Sequence, residues 1–269
     1  MDLKLKGKVA LVTGSSKGIG EAIVRGLAAE GATVIVHGRD FGLAKRVQDD
    51  ILVAGGVAHF VVGDLTRDED VAALVQNAYD LAGRIDILVN NAGGSGAPED
   101  WSTATPATWA SAYDRNVLAA VRVTTAILPR MREEGWGRII NISSLAGLMP
   151  PARNPDYSAA KAAMLAMTAS MSKAVAAEGV TVNTVSPGTI RSAKLDEKFR
   201  EVAATRGISI DAKWSDVERA VLPMFADVPA GRVGTLEEIA DVIAFLASPR
   251  AGYITGSNIR LDGGMLPTL

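Results

Sequence analysis

Seven short runs rich in β-branched residues recur along this chain, and each of the first six is followed by a stretch with helical periodicity. That alternation constrains the fold more than any other feature. KVALVT (8–13), TVIVH (33–37), VAHFVV (57–62), IDILV (85–89), RIINIS (138–143), VTVNTVS (180–186) and NIRLD (258–262) read as strands. Helical patterns lie near 18–30, 40–54, 68–82, 105–133, 156–178 and 235–247. Regular alternation of this kind implies right-handed crossovers and one parallel sheet with helices on both faces. Hydrophobic residues make up 48% of the chain but aromatics only 5%, so the core is built from Ala, Val, Ile and Leu, as in a sheet buried on both sides. No repeat, low-complexity tract or linker divides the 269 residues, and a single domain over 1–269 is expected. Residues 190–230 break the rhythm. They carry two helical patterns and no strand, which predicts an excursion off the sheet edge that serves as a lid.

Composition removes several function classes. The formal net charge is −2 and the basic residues are scattered, so a nucleic-acid footprint is not expected. The absence of cysteine excludes disulfides, thiolate catalysis and a Cys-based zinc site; no metal site is expected. The apolar run at the N-terminus is too short for a signal peptide, and the longest apolar stretch, Val117–Ile127, is interrupted by Arg122. A cytoplasmic protein with no membrane contact is the expectation.

The turn TGSSKGIG (13–20) follows the first strand directly and opens a helix. Gly14, Gly18 and Gly20 leave the backbone free to approach a pyrophosphate, and the helix N-terminus behind them offers free N–H groups and a positive dipole end. The alternative is a tight strand–helix connection with no ligand. The second strand ends in His37-Gly38-Arg39-Asp40. An acidic residue there holds the ribose 2′-hydroxyl of NAD, and a basic one accommodates the 2′-phosphate of NADP. Gly38 leaves room, Arg39 supplies a planar fork, and Lys17 converges on the same corner. Asp40 reads as the N-cap of the next helix. NADP(H) is favoured, and NAD(H) remains possible.

Tyr157 and Lys161 stand four apart in YSAAK, on one face of a helix. A unit positive charge about 4 Å from a phenol favours phenolate by roughly 4 kcal/mol at an effective dielectric of about 20. That corresponds to about 3 pKa units. Burial works in the opposite direction, but the charge is expected to win if Lys161 stays hydrated or hydrogen-bonded. A tyrosine tuned in this way can act as general acid or base on an alcohol/carbonyl pair.

Taken together, these motifs resemble the short-chain dehydrogenase/reductase family over nearly the whole chain, and in particular its 3-oxoacyl-acyl-carrier-protein reductases. The turn with Gly14, Ser16, Lys17, Gly18, Ile19 and Gly20 resembles the family's cofactor turn. Asp64-Leu65 resembles its adenine-contact pair. NNAG, with Asn91, Ala92 and Gly93, resembles the motif that steadies the sheet beside the cofactor. PGTI, with Pro187, Gly188 and Ile190, resembles the stretch that meets the nicotinamide carboxamide; Ser192 stands where the family often has threonine. Asn116, Ser144, Tyr157 and Lys161 fall where the family carries its catalytic residues.

The resemblance implies an α/β Rossmann-type three-layer sandwich with a seven-stranded parallel sheet. It implies an NADP(H)-dependent oxidoreductase in which Tyr157 is the general acid/base, Ser144 positions the substrate oxygen, Lys161 binds the nicotinamide ribose and Asn116 supports a proton relay. The small substrate, a carbonyl or alcohol, would be lined by residues near 94–101, 145–154 and 190–230. Alternatives on the same fold are a non-catalytic NADP-binding regulator, an NAD-dependent dehydrogenase and an epimerase. The Ala- and Met-rich helix of Tyr157, paired with the 105–133 helix, implies a homotetramer.

Overall fold

The structure, a computed structural model, describes residues 1–97 and 99–267. Its strands are β1 (Val9–Val12), β2 (Thr33–Gly38), β3 (Val57–Val62), β4 (Ile87–Asn90), β5 (Gly137–Ile142), β6 (Val180–Pro187) and β7 (Asn258–Leu261). They form one seven-stranded sheet in the order β3-β2-β1-β4-β5-β6-β7, parallel throughout. Each expected strand is present, with ends displaced by two residues or fewer. Every residue of β1, β4, β5 and β6 is buried, which is why these strands read as continuous apolar runs rather than as an alternation.

The helices are α1 (Gly18–Ala29), α2 (Phe41–Val53), α3 (Asp68–Ala82), α4 (Pro106–Tyr113), α5 (Ala119–Glu133), α6 (Pro155–Val175), α7 (Ala193–Ala204), α8 (Trp214–Phe225) and α9 (Leu236–Ala247). One core packs α1, α2 and α9 on one face of the sheet through Ile23, Leu27, Val47, Ile239 and Ile243. The other packs α3 and α5 on the opposite face through Leu74, Ala78, Val123 and Ile127. Strand order reverses between β1 and β4, and the crevice beyond the carboxyl ends of those two strands is where such sheets bind ligands.

The single helix expected over 105–133 is in fact interrupted. Residues Asp114–Leu118 form a π-turn between α4 and α5, with Asn116 at its centre. The Asn116 Nδ2 donates to the Ala112 carbonyl at 2.9 Å, inserting a side chain into the backbone ladder and widening it. The 190–230 excursion has the two expected helices, α7 and α8. They share a small core of their own, in which the fully buried Phe199 stacks on Trp214 with ring centroids 5.6 Å apart. Among the described residues no helix is long and apolar enough to cross a membrane.

Candidate active site

The crevice floor is built largely from backbone. β1 runs into Gly14, whose φ of +62° lies in the left-handed region. A Cβ there would fall 2.9 Å from the Ala92 Cα, so glycine is what lets the turn pack on the segment after β4. Asn91 completes the join. Its Nδ2 donates to the Thr13 and Gly14 carbonyls, each at 2.9 Å, while the Asn91 and Ala92 N–H groups donate to Thr13 Oγ1 at 3.0 Å. Asn90 belongs instead to the sheet, donating to Thr124 Oγ1 and Asn141 Oδ1. α1 begins at Gly18, next to Ile19 and Gly20, and Lys17 gives it no side-chain cap. The first-turn N–H groups and the positive end of the helix are thus left for an anion, and nothing lies within 4 Å of where a Gly18 Cβ would be. This donor chemistry fits the pyrophosphate of a dinucleotide.

At the end of β2 the side chains divide as the sequence suggests, with one correction. Asp40 caps α2, accepting the Leu43 N–H at 2.9 Å, and Arg39 is exposed. Gly38, however, leaves no vacant space. A Cβ there would lie 2.8 Å from Ser16 Oγ, so the glycine accommodates the buried Ser16. Asp64 accepts the N–H and hydroxyl of Thr66 at 3.0 and 2.8 Å, which braces its own loop, and Leu65 is buried.

The catalytic candidates converge from three elements. Asn116 Oδ1 accepts the Gly94 N–H at 3.0 Å, and its Nδ2 also donates to the Gly94 carbonyl at 3.1 Å. Gly93 lies beneath: a Cβ on it would press on Asn116 Oδ1 and lie 3.6 Å from Lys161 Nζ. Lys161, on α6, is buried and donates to the Ile142 carbonyl at the end of β5 at 2.8 Å. Its Nζ is 5.7 Å from the centroid of the Tyr157 ring. Ser144 Oγ accepts the Ala146 N–H at 3.2 Å, starting a short 3-10 turn, and its hydroxyl favours the ionised form of the Tyr157 phenol.

The electrostatics differ from the sequence expectation. Burial raises the Tyr157 pKa, opposed only by the hydrogen bond from Ser144, and burial lowers Lys161 from 10.5 to about 8. Burial of the phenol itself decides its direction, since the Lys161 ammonium is committed to a backbone carbonyl and stands 5.7 Å from the centroid of the Tyr157 ring. The phenol is therefore held in its protonated form beside a lysine that keeps its charge at neutral pH.

At the far end of the crevice, the Gly188 N–H donates to the Leu261 carbonyl at 2.9 Å, following Pro187 at the end of β6. Ile190 pairs with Gly234 in a single parallel bridge. Ser192 caps α7, accepting the Leu195 N–H at 3.2 Å. The lid residues expected to cover a substrate mostly turn inward: Phe199 and Leu222 lie in the lid's own core, while Met224 and Phe225 are partly exposed. A cleft of about 810 Å³ opens between α7 and the start of α9, lined by Arg191, Asp196, Arg200 and Glu237; it lies beside the lid, and neither Tyr157 nor Lys161 lines it.

The expected pocket loops are tied together, with the Asn154 N–H donating to the Glu99 carbonyl at 2.8 Å. Pro98, within the expected 94–101 lining, lies outside the described residues, as do residues 268–269. Arg153 is exposed.

Two contributors were missed in the sequence. Arg115 Nε donates to the Gly94 carbonyl at 3.1 Å, and Nη2 stands 4.0 Å from the buried Asp156 carboxylate, next to Tyr157. Its position beside Asn116 was the available signal. Ser143 Oγ donates to the Lys161 carbonyl at 2.8 Å, tying the end of β5 to α6.

Comparison with known proteins agrees with this architecture. The short chain dehydrogenase family profile matches residues 8–203. The 3-oxoacyl-(acyl-carrier-protein) reductase FabG of Aquifex aeolicus (strain VF5) is 38% identical over 266 residues, covering 98% of this chain and 100% of the relative. The uncharacterized oxidoreductase YvrD of Bacillus subtilis (strain 168) is 35% identical over 269 residues, covering all of both chains. Among solved structures, L-sorbose reductase from Gluconobacter frateurii complexed with NADPH and L-sorbose superposes with a TM-score of 0.91 at 34% identity, again over all of both chains. With the matched region taking in the glycine turn, NNAG, Asn116, Ser144, Tyr157 and Lys161, this chain belongs to the short-chain dehydrogenase family of oxidoreductases.

Proposed function

We propose that this protein is an NADP(H)-dependent reductase that interconverts a carbonyl and a secondary alcohol, with Tyr157 as the general acid/base. The observation that carries this reading is the convergence of Ser144, Tyr157, Lys161 and Asn116 at the carboxyl ends of β4 and β5, beside an uncapped helix N-terminus. When bound, the nicotinamide supplies the hydride.

The protein's own residues do the rest. Gly14, Gly18 and the first turn of α1 hold the pyrophosphate, and Arg39 with Lys17 takes the 2′-phosphate. The remaining cofactor contacts are assigned to Ser16, Ile19, Gly20, Asp64, Leu65, Asn91, Ala92, Gly93, Pro187, Gly188, Ile190 and Ser192. Ser144 orients the substrate oxygen and Tyr157 donates its proton to it. Lys161 keeps positive charge beside the reacting oxygen, and Asn116 holds the Gly94 loop that closes over it. NADPH and L-sorbose in the superposed reductase support both the cofactor and a carbonyl substrate.

The chain is proposed to work as one domain, with residues 190–230 as its lid, and as a homotetramer. Exposed small residues of α6, Ala159, Ala166 and Ala169, together with Tyr113 and Leu118 on the adjoining helical run, support that assembly. The decisive experiment is NADPH oxidation, followed by absorbance, with ketones, 3-oxoacyl thioesters and ketoses as substrates. Consumption with at least one class is the expected result. Binding of NADPH without turnover of any substrate would favour a regulator, and product formation without net NADPH loss would favour an epimerase.

A further inference from the structure

His37 is 2% exposed at the end of β2. Its Nδ1 accepts the Gly14 N–H at 3.0 Å, and its Nε2 lies 3.2 Å from the Gly63 carbonyl oxygen. An acceptor at Nδ1 requires the proton on Nε2, so the two neighbours fix a neutral ring in which Nε2–H donates to Gly63. The backbone of the same residue is bound as tightly. The His37 N–H donates to Ser15 Oγ at 2.9 Å, and the Ser15 N–H donates to the His37 carbonyl at 2.8 Å. One residue thus joins the glycine turn, the end of β2 and the end of β3 immediately before Asp64 and Leu65. These are three segments that a dinucleotide would span.

We propose that His37 is a positioning residue for the dinucleotide turn: its neutral imidazole holds Gly14 in the left-handed conformation, and protonating the ring releases the turn and weakens NADPH binding. The proposal rests on the dinucleotide reading above. A protonated ring has a donor at both nitrogens, so Nδ1–H would point at the Gly14 N–H and the bond would be lost. The charged groups acting on the ring are Asp64, after β3, which favours the charged form, and Arg39, after β2, which opposes it; the turn contributes only the neutral Gly14 and Ser15. Burial is the largest influence and holds the ring's pKa below its ordinary value. With the folded value below the unfolded one, the neutral ring's contribution is fully present above about pH 6.5 and is lost as pH falls through the lower folded value.

The test is NADPH affinity by fluorescence titration from pH 8 to pH 5 for the wild type, His37→Asn and His37→Leu, with the ring tautomer followed by NMR. The chain has two histidines, so His37→Asn leaves His59 alone and makes the NMR assignment direct. An asparagine Oδ1 can stand where Nδ1 stood and does not titrate. At pH 8 the Asn variant should bind within about threefold of wild type, while the Leu variant, with the Gly14 N–H unpaired, should bind roughly tenfold more weakly. Towards pH 5 the wild type should lose affinity about threefold or more beyond the Asn variant, which shares the ligand's own titration. A Leu variant that binds as wild type does, identical acid dependence in wild type and Asn variant, or a ring carrying its proton on Nδ1 would each overturn the proposal. If the Leu variant fails to fold, the pH comparison of the other two still decides. Wild-type protein that binds no dinucleotide at pH 8 would overturn the dinucleotide reading and this proposal with it, whereas normal binding unaffected by His37→Leu would overturn this proposal alone.

Discussion

On the floor of the crevice the polar side chains bond mainly to the backbone of the sheet and the turns beside it, whereas in residues 190–230 they bond mainly to partners within that segment, side chain and backbone alike. Lys161 donates to Ile142, Asn116 to Gly94 and Ala112, and Asn91 to Thr13 and Gly14. Each contact ties a side chain to backbone at a strand end, a turn or a helix end. In the lid, Arg191 holds Asp196 at 2.7 Å and Arg200 holds the same carboxylate at 2.5 Å, with a separate apolar core beneath. A segment with its own core and surface ion pairs can shift as a unit, and lids are drawn from such units. On the proposed reading, chemistry and cofactor geometry reside in the floor and substrate access in the 190–230 segment.

Four substitutions would break or sharpen that division. Lys161→Met should lower turnover at least 100-fold. Its effect on stability should be the reverse of a usual core polar substitution. The folded value of about 8 lies below the unfolded value near 10.5, so the buried ammonium carries a full penalty below about pH 8 that fades as pH rises towards 10.5. That penalty is about 3 kcal/mol. The variant's Tm at pH 7 should therefore equal or exceed the wild type's, and a fall of several degrees would show that the floor depends on this charge for folding. In the wild type, kcat/KM should decline as pH rises through about 8, as the ammonium deprotonates.

Phe199→Ala removes the centre of the lid core and should cost about 3–5 kcal/mol of local stability. KM should rise at least tenfold while NADPH affinity stays within threefold; parallel loss of both would erase the distinction between floor and lid. Arg39→Ala should weaken NADPH about tenfold and NADH hardly at all, measured by titration. Equal weakening would remove the phosphate assignment. Asp196→Asn cuts a partly exposed ion-pair pair of arms and should change KM less than threefold, since such contacts contribute under about 1 kcal/mol each.

Much of this was legible in the sequence because it follows from periodicity or spacing. The seven strands betray themselves as β-branched runs, and Tyr157 and Lys161 share a helix face whatever surrounds them. The Asp40 cap follows from residue type at a helix start. What was not legible depends on tertiary contact. Nothing local announces that Asn116 opens a π-turn, since that requires Gly94 as its second partner. The sign of the Tyr157 shift depends on how dry the site is, which no spacing reveals. The lid's aromatic residues look the same in sequence whether they face a substrate or each other. Gly38 looked like space for a phosphate and is instead the seat of Ser16.

The most direct measurement compares Tyr157→Phe with the wild type for both NADPH affinity and single-turnover reduction of whichever carbonyl the wild type accepts. The account predicts affinity within a few-fold and a reduction rate lower by about 10⁴-fold or more, because a protonated hydroxyl is lost from an otherwise intact floor. A variant that still reduces its substrate at a rate near that of the wild type would contradict it.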